Sequence, residues 1–172
     1  MSEVRESIFE EIQRTPGTHF NELVRRLGLG PGQVQYHLRL LDSSDRILQE
    51  SLWGRTHYFP IEVPLEDRRA IAVLRRETAN AIISLLVEAD NPRPIEVTER
   101  LGIARSTLEY HLDRLETVGL IEKHYDREGT MRLSISNPER ARTLLRTTDP
   151  DMVDRLTDRF DRLVDSLLDS RK

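Results

Sequence analysis

Two stretches of the chain concentrate side chains able to grip a polyanion and to donate or accept in-plane hydrogen bonds. Residues 32–41 read GQVQYHLRLL and residues 106–115 read STLEYHLDRL. In the first, Val34, Leu38 and Leu41 recur at helical spacing. At about 100° per residue an inward stripe there leaves Tyr36 and Arg39 pointing away, with Gln33 and Gln35 beside them. In the second, Leu108, Leu112 and Leu115 form the stripe. Ser106, Tyr110, Asp113 and Arg114 then face outward, flanked by Arg105, Thr107 and Glu109. Glutamine can pair with adenine through two hydrogen bonds, arginine with guanine or phosphate, and serine, threonine and tyrosine with backbone or base edges. The set is therefore suited to duplex DNA. Carboxylates are repelled by phosphate and help only where a cytosine amino group is offered, so Glu109 and Asp113 weaken the second stretch as a reader.

The two stretches belong to longer segments in register. An offset of 74 maps His37 onto His111, and also Leu27-Gly28 onto Leu101-Gly102, Leu41 onto Leu115 and Ile47 onto Ile121. Agreement at flanking apolar positions predicts a duplicated structural unit. Each copy parses alike. In the first, Ile8 and Ile12 mark a short helix that stops at Thr15-Pro16-Gly17. Thr18 is read as the cap of a second helix carrying Phe20, Leu23, Val24 and Leu27, which Gly28 ends. A third helix opens at Gly30-Pro31, where the missing proline N–H costs nothing. Residues 47–52 and 56–59, joined by Trp53-Gly54-Arg55, read as a hairpin. The second copy runs through residues 82–87, the breaker Asn91-Pro92-Arg93-Pro94, helices through Val97 and Leu101 and then through Leu115, and a hairpin over 120–125 and 131–135.

Three helices followed by a two-stranded ribbon is the order of a winged helix-turn-helix. The expected class is mainly α with small β-wings, α+β overall. The expected division is a winged unit over 1–62, a helical linker over 63–77, a second winged unit over 78–147 and a C-terminal helix over 148–172. At the wing tips, Arg55 and Arg127, with Lys123 along the second wing, are candidates for phosphate contacts.

The segment LGIARSTLEYHLDRLETVGLIEK, residues 101–123, resembles the helix-turn-helix and first wing strand of ArsR- and MarR-like transcriptional regulators, especially archaeal tandem winged-helix proteins. The resemblance is close over 78–135 and looser over 4–60. It departs at Asp45, where the second copy has Gly119, at a position calling for a left-handed backbone. It implies a dimeric regulator that binds double-stranded DNA through recognition helices and wings, most often to repress. The metal-sensing branch of that family uses cysteines, which this chain lacks, so metal sensing is not implied.

Other chemistry finds little support. His37 and His111 fall beside the inward stripes, and no histidine or carboxylate recurs at a spacing that would close a metal site, so both read as packed between helices. A Gly-rich phosphate loop and a nucleophile elbow are both missing, and the expectation is of no catalysis and no cofactor. The net charge is −4 with no basic tail, which argues against indiscriminate nucleic-acid binding. It leaves room for an alternative, a winged-helix adaptor that binds proteins. Without cysteine, and with nothing near the roughly 18 apolar residues of a membrane span, a cytoplasmic protein is expected.

Two pieces lie outside the copies. The linker between Pro60 and the second unit reads as helical, with a break near Glu77-Thr78, so the units are expected to be held in a fixed relation. After Asp149-Pro150, Val153, Leu156, Phe160, Leu163 and Leu167 are spaced 3, 4, 3, 4, which is a coiled-coil seam and the expected homodimer interface.

Overall fold

A computed structural model describes residues 2–148 of the chain. Residues 149–172, with the seam through Val153, Leu156, Phe160, Leu163 and Leu167, lie outside the described residues. The first unit is α1 (Glu3–Arg14), α2 (Phe20–Leu27), α3 (Pro31–Ser43), β1 (Ile47–Leu52) and β2 (Arg55–Pro60). The helices α4 (Leu65–Leu74) and α5 (Glu77–Glu88) follow, then α6 (Pro94–Leu101), α7 (Arg105–Thr117), β3 (Ile121–Tyr125), β4 (Met131–Ile135) and α8 (Pro138–Thr148). Both hairpins are antiparallel, β1 with β2 and β3 with β4. The order helix, helix, helix, hairpin thus occurs twice, as α1–α3 with β1–β2 and as α5–α7 with β3–β4.

Local rules account for most boundaries. Gly28 and Gly102 end α2 and α6 in the left-handed conformation. Positions 45 and 119 are both left-handed, at φ 52 for Asp45 and φ 73 for Gly119. The residue after each donates its N–H back into the preceding helix, Arg46 to Leu41 at 3.0 Å and Leu120 to Leu115 at 2.9 Å. Asp45 therefore adopts the conformation that glycine takes in the other copy. The start of α2 differs from expectation: His19, not Thr18, is the N-cap residue, and the Glu22 carboxylate accepts from the His19 N–H at 2.9 Å and from the Thr18 hydroxyl at 3.1 Å. Between α4 and α5 the helix breaks at Arg75-Arg76, just before Glu77.

Helix α8 was not anticipated, although its signal is readable. The Asn137 side chain accepts the Arg140 N–H at 3.0 Å, Pro138 occupies the first helical position, and Ala141, Leu144 and Leu145 are buried at helical spacing. This helix covers α4 and α5, with Arg140 paired to Asp67 at 2.8 Å.

Two cores result. Ile8, Ile12, Leu23, Val34, Leu38, Leu41, Ile47 and Tyr58 form the first; the second gathers side chains from α4 through α8 together with Phe59 of β2. Successive residues of a strand face opposite sides. Tyr58 therefore points into the first core and its neighbour Phe59 into the second. Leu48, paired with Phe59, and Leu52 pack on the second core as well, and Glu50 on the same face is 2.6 Å from Arg68 of α4. The first hairpin is shared between the two units.

Candidate nucleic-acid interface

Helix α3 is placed by its apolar stripe. Val34, Leu38 and Leu41 are buried against α1 and α2, and the opposite face is open. Gln33, Gln35, Tyr36 and Arg39 are all exposed on it, Tyr36 to 58 %. The Gln33 side-chain Oε1 accepts from the Gly30 N–H at 3.3 Å, which caps the helix start. Arg39 makes no ion pair among the described residues. It borders a groove of about 390 Å³ with Phe20, Gln35, Asp42, Gln49 and Tyr58, between α3 and the hairpin. Asp42 is the carboxylate that lines this groove.

Helix α7 has the same stripe, Leu108, Leu112 and Leu115, but a different outer face. Arg105 is bound to Glu109 at 2.8 Å. The Lys123 ammonium donates to Asp113 at 3.1 Å, with Glu116 at 3.6 Å and Glu109 at 3.8 Å. Burial works against its charge, but the hydrogen bond to Asp113 and the three carboxylates together raise its pKa. Arg114 is half-buried, its guanidinium 3.7 Å from the Tyr110 ring centre and 5.2 Å from that of Trp53. Ser106 is exposed, Thr107 half-buried and Tyr110 exposed. Of the outward cations expected on α7, each is already engaged within the chain.

The wings differ in the same way. Arg127 is exposed at the tip of the second, where the Asp126 carboxylate is held by the Thr130 and Glu128 N–H groups and by Arg132 at 3.0 Å. These bonds, that of Thr130 foremost, lower the Asp126 pKa. The first wing does not stand free. Trp53 and Gly54 turn its tip with φ 53 and φ 77, and the Trp53 carbonyl accepts from Arg76 at 3.1 Å. Arg55 is exposed but borders the cleft between the units rather than an outer edge.

His37 and His111 are buried between helices, each with its ring edge-on to the preceding tyrosine. Among the described residues no group of three or more His, Cys, Asp or Glu is arranged to hold a metal ion. Nor is any helix among them long and apolar enough to cross a membrane. Sequence reasoning missed Trp53 and Phe59 as joints of the site; their signal, large apolar residues on both faces of the hairpin, with Leu48, Leu52 and Phe59 on one and Ile47 and Tyr58 on the other, was present.

The described part of the chain is an α+β protein built of winged helix-turn-helix units. Comparison with known proteins agrees with this class. Residues 2–71 match the family model HTH_HVO_0163_N, an N-terminal HTH domain. The match falls on the first unit, the copy over which the resemblance seen in the sequence is looser. The chain is 25 % identical over 123 residues to the HTH-type transcriptional regulator MJ1398 of Methanocaldococcus jannaschii, covering 71 % of this chain and 31 % of that protein. It therefore spans about a third of that relative's length. Among solved structures, it is similar to an ArsR-like transcriptional regulator from Rhodococcus sp. RHA1 (22 % identity, TM-score 0.41, 59 % of this chain and 89 % of that one). It is also similar to the PcaV transcriptional regulator of Streptomyces coelicolor in complex with its natural ligand (20 % identity, TM-score 0.40, 85 % and 96 %).

Proposed function

We propose that the protein is a transcription regulator that binds double-stranded DNA through the first winged unit. The observation that carries this reading is the contrast between the two third helices. The α3 face presents Gln33, Gln35, Tyr36 and Arg39 without an ion pair, whereas Arg105 of α7 and Lys123 of the neighbouring β3 are neutralised by acids of α7. A helix whose cations are already paired must break those pairs to meet a phosphate or a base. Arg39 and Gln35 have no such cost, and Gln33 has only its Oε1 bond to the Gly30 N–H to give up. The family match over 2–71 and the name of the Methanocaldococcus relative support the same unit and role. In this reading α3 enters a major groove, Arg127 and Arg55 add phosphate contacts, and Ser106, Thr107, Tyr110 and Arg114 are secondary. The seam beyond residue 149 pairs two chains, so that two α3 helices meet half-sites one turn apart and repress by occluding a promoter.

The test is a footprint on genomic fragments selected by the protein. The double variant Gln33→Ala, Arg39→Ala loses specific binding by about tenfold or more, since a good side-chain pair to a base contributes about 1–3 kcal/mol. A footprint unchanged in the double variant rejects the assignment. A second reading, a protein-binding adaptor, is favoured by the acidic surface of α7, where Asp113 and Glu116 are exposed. The same binding titration in rising salt separates the two: DNA binding that weakens steeply supports the first, and no binding at low salt supports the adaptor.

A further inference from the structure

The duplication supplies an internal comparison. The offset of 74 maps Gln35, Arg39, Asp42 and Gln49 of the first copy onto Glu109, Asp113, Glu116 and Lys123 of the second. In the second copy these positions meet at one point, where the Lys123 ammonium lies 3.1 Å from Asp113, 3.6 Å from Glu116 and 3.8 Å from Glu109. In the first copy the same four positions line the groove of about 390 Å³ between α3 and the hairpin. None of the four makes a side-chain hydrogen bond or ion pair among the described residues. We propose that this groove binds a free α-amino acid with an apolar side chain, its carboxylate on Arg39 and its ammonium on Asp42.

Charge selects the head group. The groove carries one cation and one carboxylate, Arg39 and Asp42, which do not pair with each other. A simple anion would meet Arg39 but also face Asp42, and a simple cation the reverse; a zwitterion matches both. The second copy shows that side chains at these helix positions reach a common point, so the two charges suit a head group that bears both on one carbon. The Gln35 amide can donate to its carboxylate and the Gln49 carbonyl can accept from its ammonium. The floor selects the tail. Phe20, Leu38 and the ring of Tyr58 form it. Tyr58 is the strand partner of Gln49, where the second copy has plain Leu133 beside Lys123. It is only 8 % exposed, and its hydroxyl makes no hydrogen bond among the described residues. Burial and then the Asp42 carboxylate raise its pKa, so the phenol stays protonated and free to bond a polar atom in the groove.

In the second copy an internal lysine fills the place that the ligand takes in the first. Occupancy of the groove would draw Arg39 and Gln35 off the open α3 face and so release DNA, a consequence that rests on the DNA-binding reading; the binding itself does not.

The experiment is an amide NMR titration of the full chain with leucine and, separately, with phenylalanine, in the absence of DNA. With at least one of them, the Gln35, Asp42, Gln49 and Tyr58 signals move together and saturate with half-occupancy at about 1 mM or below. The analogues that keep the side chain and a single charge, isocaproate and isoamylamine for leucine, hydrocinnamate and phenethylamine for phenylalanine, bind about tenfold more weakly or worse. Asp42→Asn, on an exposed side chain, weakens binding of the amino acid by about tenfold or more. Gln49→Lys brings an ammonium to the place that Lys123 fills in the second copy, and removes binding while the amide spectrum stays folded. Shifts that grow linearly with both amino acids, a one-charge analogue that binds as tightly as its parent, or equal affinity in wild type and Asp42→Asn overturn the proposal even if Gln49→Lys fails to fold. Because no DNA is present, a failure here leaves the DNA-binding assignment of α3 standing, and a failure of that assignment leaves this result standing.

Discussion

At the scale of single residues, partners matter more than residue type. Arg39, Arg105 and Arg114 are the same side chain on the third helices of the two copies. One is open, one is held by Glu109, and one lies against two aromatic rings. The histidines divide in the same manner. His57 is almost wholly buried, its Nδ1–H donates to the Gly17 carbonyl at 2.7 Å, and its ring lies 4.4 Å from that of His19. Burial outweighs the Gly17 hydrogen bond, His19 and Arg75 add to it, and the pKa falls to about 4. The folded state therefore keeps His57 neutral, while the unfolded chain takes up a proton below about 6.5. The stability this provides is complete above about pH 6.5 and is lost as pH falls toward 4, by up to about 3 kcal/mol. Urea unfolding at pH 7, 5.5 and 4.5 measures it: His57→Gln flattens the decline over this range, and equal slopes in both proteins exclude His57 as the group. Glu22, whose pKa is lowered by Arg75 and the His19 N–H against the effect of burial, adds its own loss only at lower pH.

At the scale of elements, the loops before α2 and α6 show why equivalent positions differ in cost. Gly17 and Asn91 are both left-handed, at φ 83 and φ 44. Only Gly17 lies at the joint between the units. A Cβ there would sit 2.9 Å from Ile71, 3.0 Å from Arg75 and 3.1 Å from Phe59, whereas one at Gly28 would meet nothing within 4 Å. Gly28→Ala then carries only the left-handed penalty, about 1 kcal/mol. Gly17→Ala adds crowding and costs about 3 kcal/mol in total. Denaturant midpoints of the two variants check the difference, and similar losses would show that the joint yields to a methyl group.

At the scale of the whole molecule, β2 makes two small units behave as one. Tyr58 and Phe59 are adjacent in sequence and belong to different cores. Phe59→Ala is expected to cost about 3–5 kcal/mol and to lower a single cooperative transition followed by both near- and far-ultraviolet circular dichroism. Two separate transitions, with the second unit unaffected, would show that the cores are independent.

Much of this protein is determined by its sequence alone, because the rules involved act within a few residues. Left-handed Gly28 and Gly102, Pro31 and Pro94 at helix starts, and the leucine stripes of α3 and α7 mark the helix-turn-helix of each copy without reference to the rest of the chain. The chemical contrast between the two third helices is equally local, since Glu109 and Asp113 lie one turn apart on the same helix. Asn137-Pro138 and the apolar spacing after it are of the same kind and mark α8. Tertiary structure decided what faces what. Alternation in β2 says that Tyr58 and Phe59 point oppositely, but not that a second core waits on the far side. Nothing near Trp53 in the chain shows that Arg76 and Arg114 will meet it. Those contacts join residues 23 and 61 positions apart, and they turn an expected free wing into part of the joint between the two units.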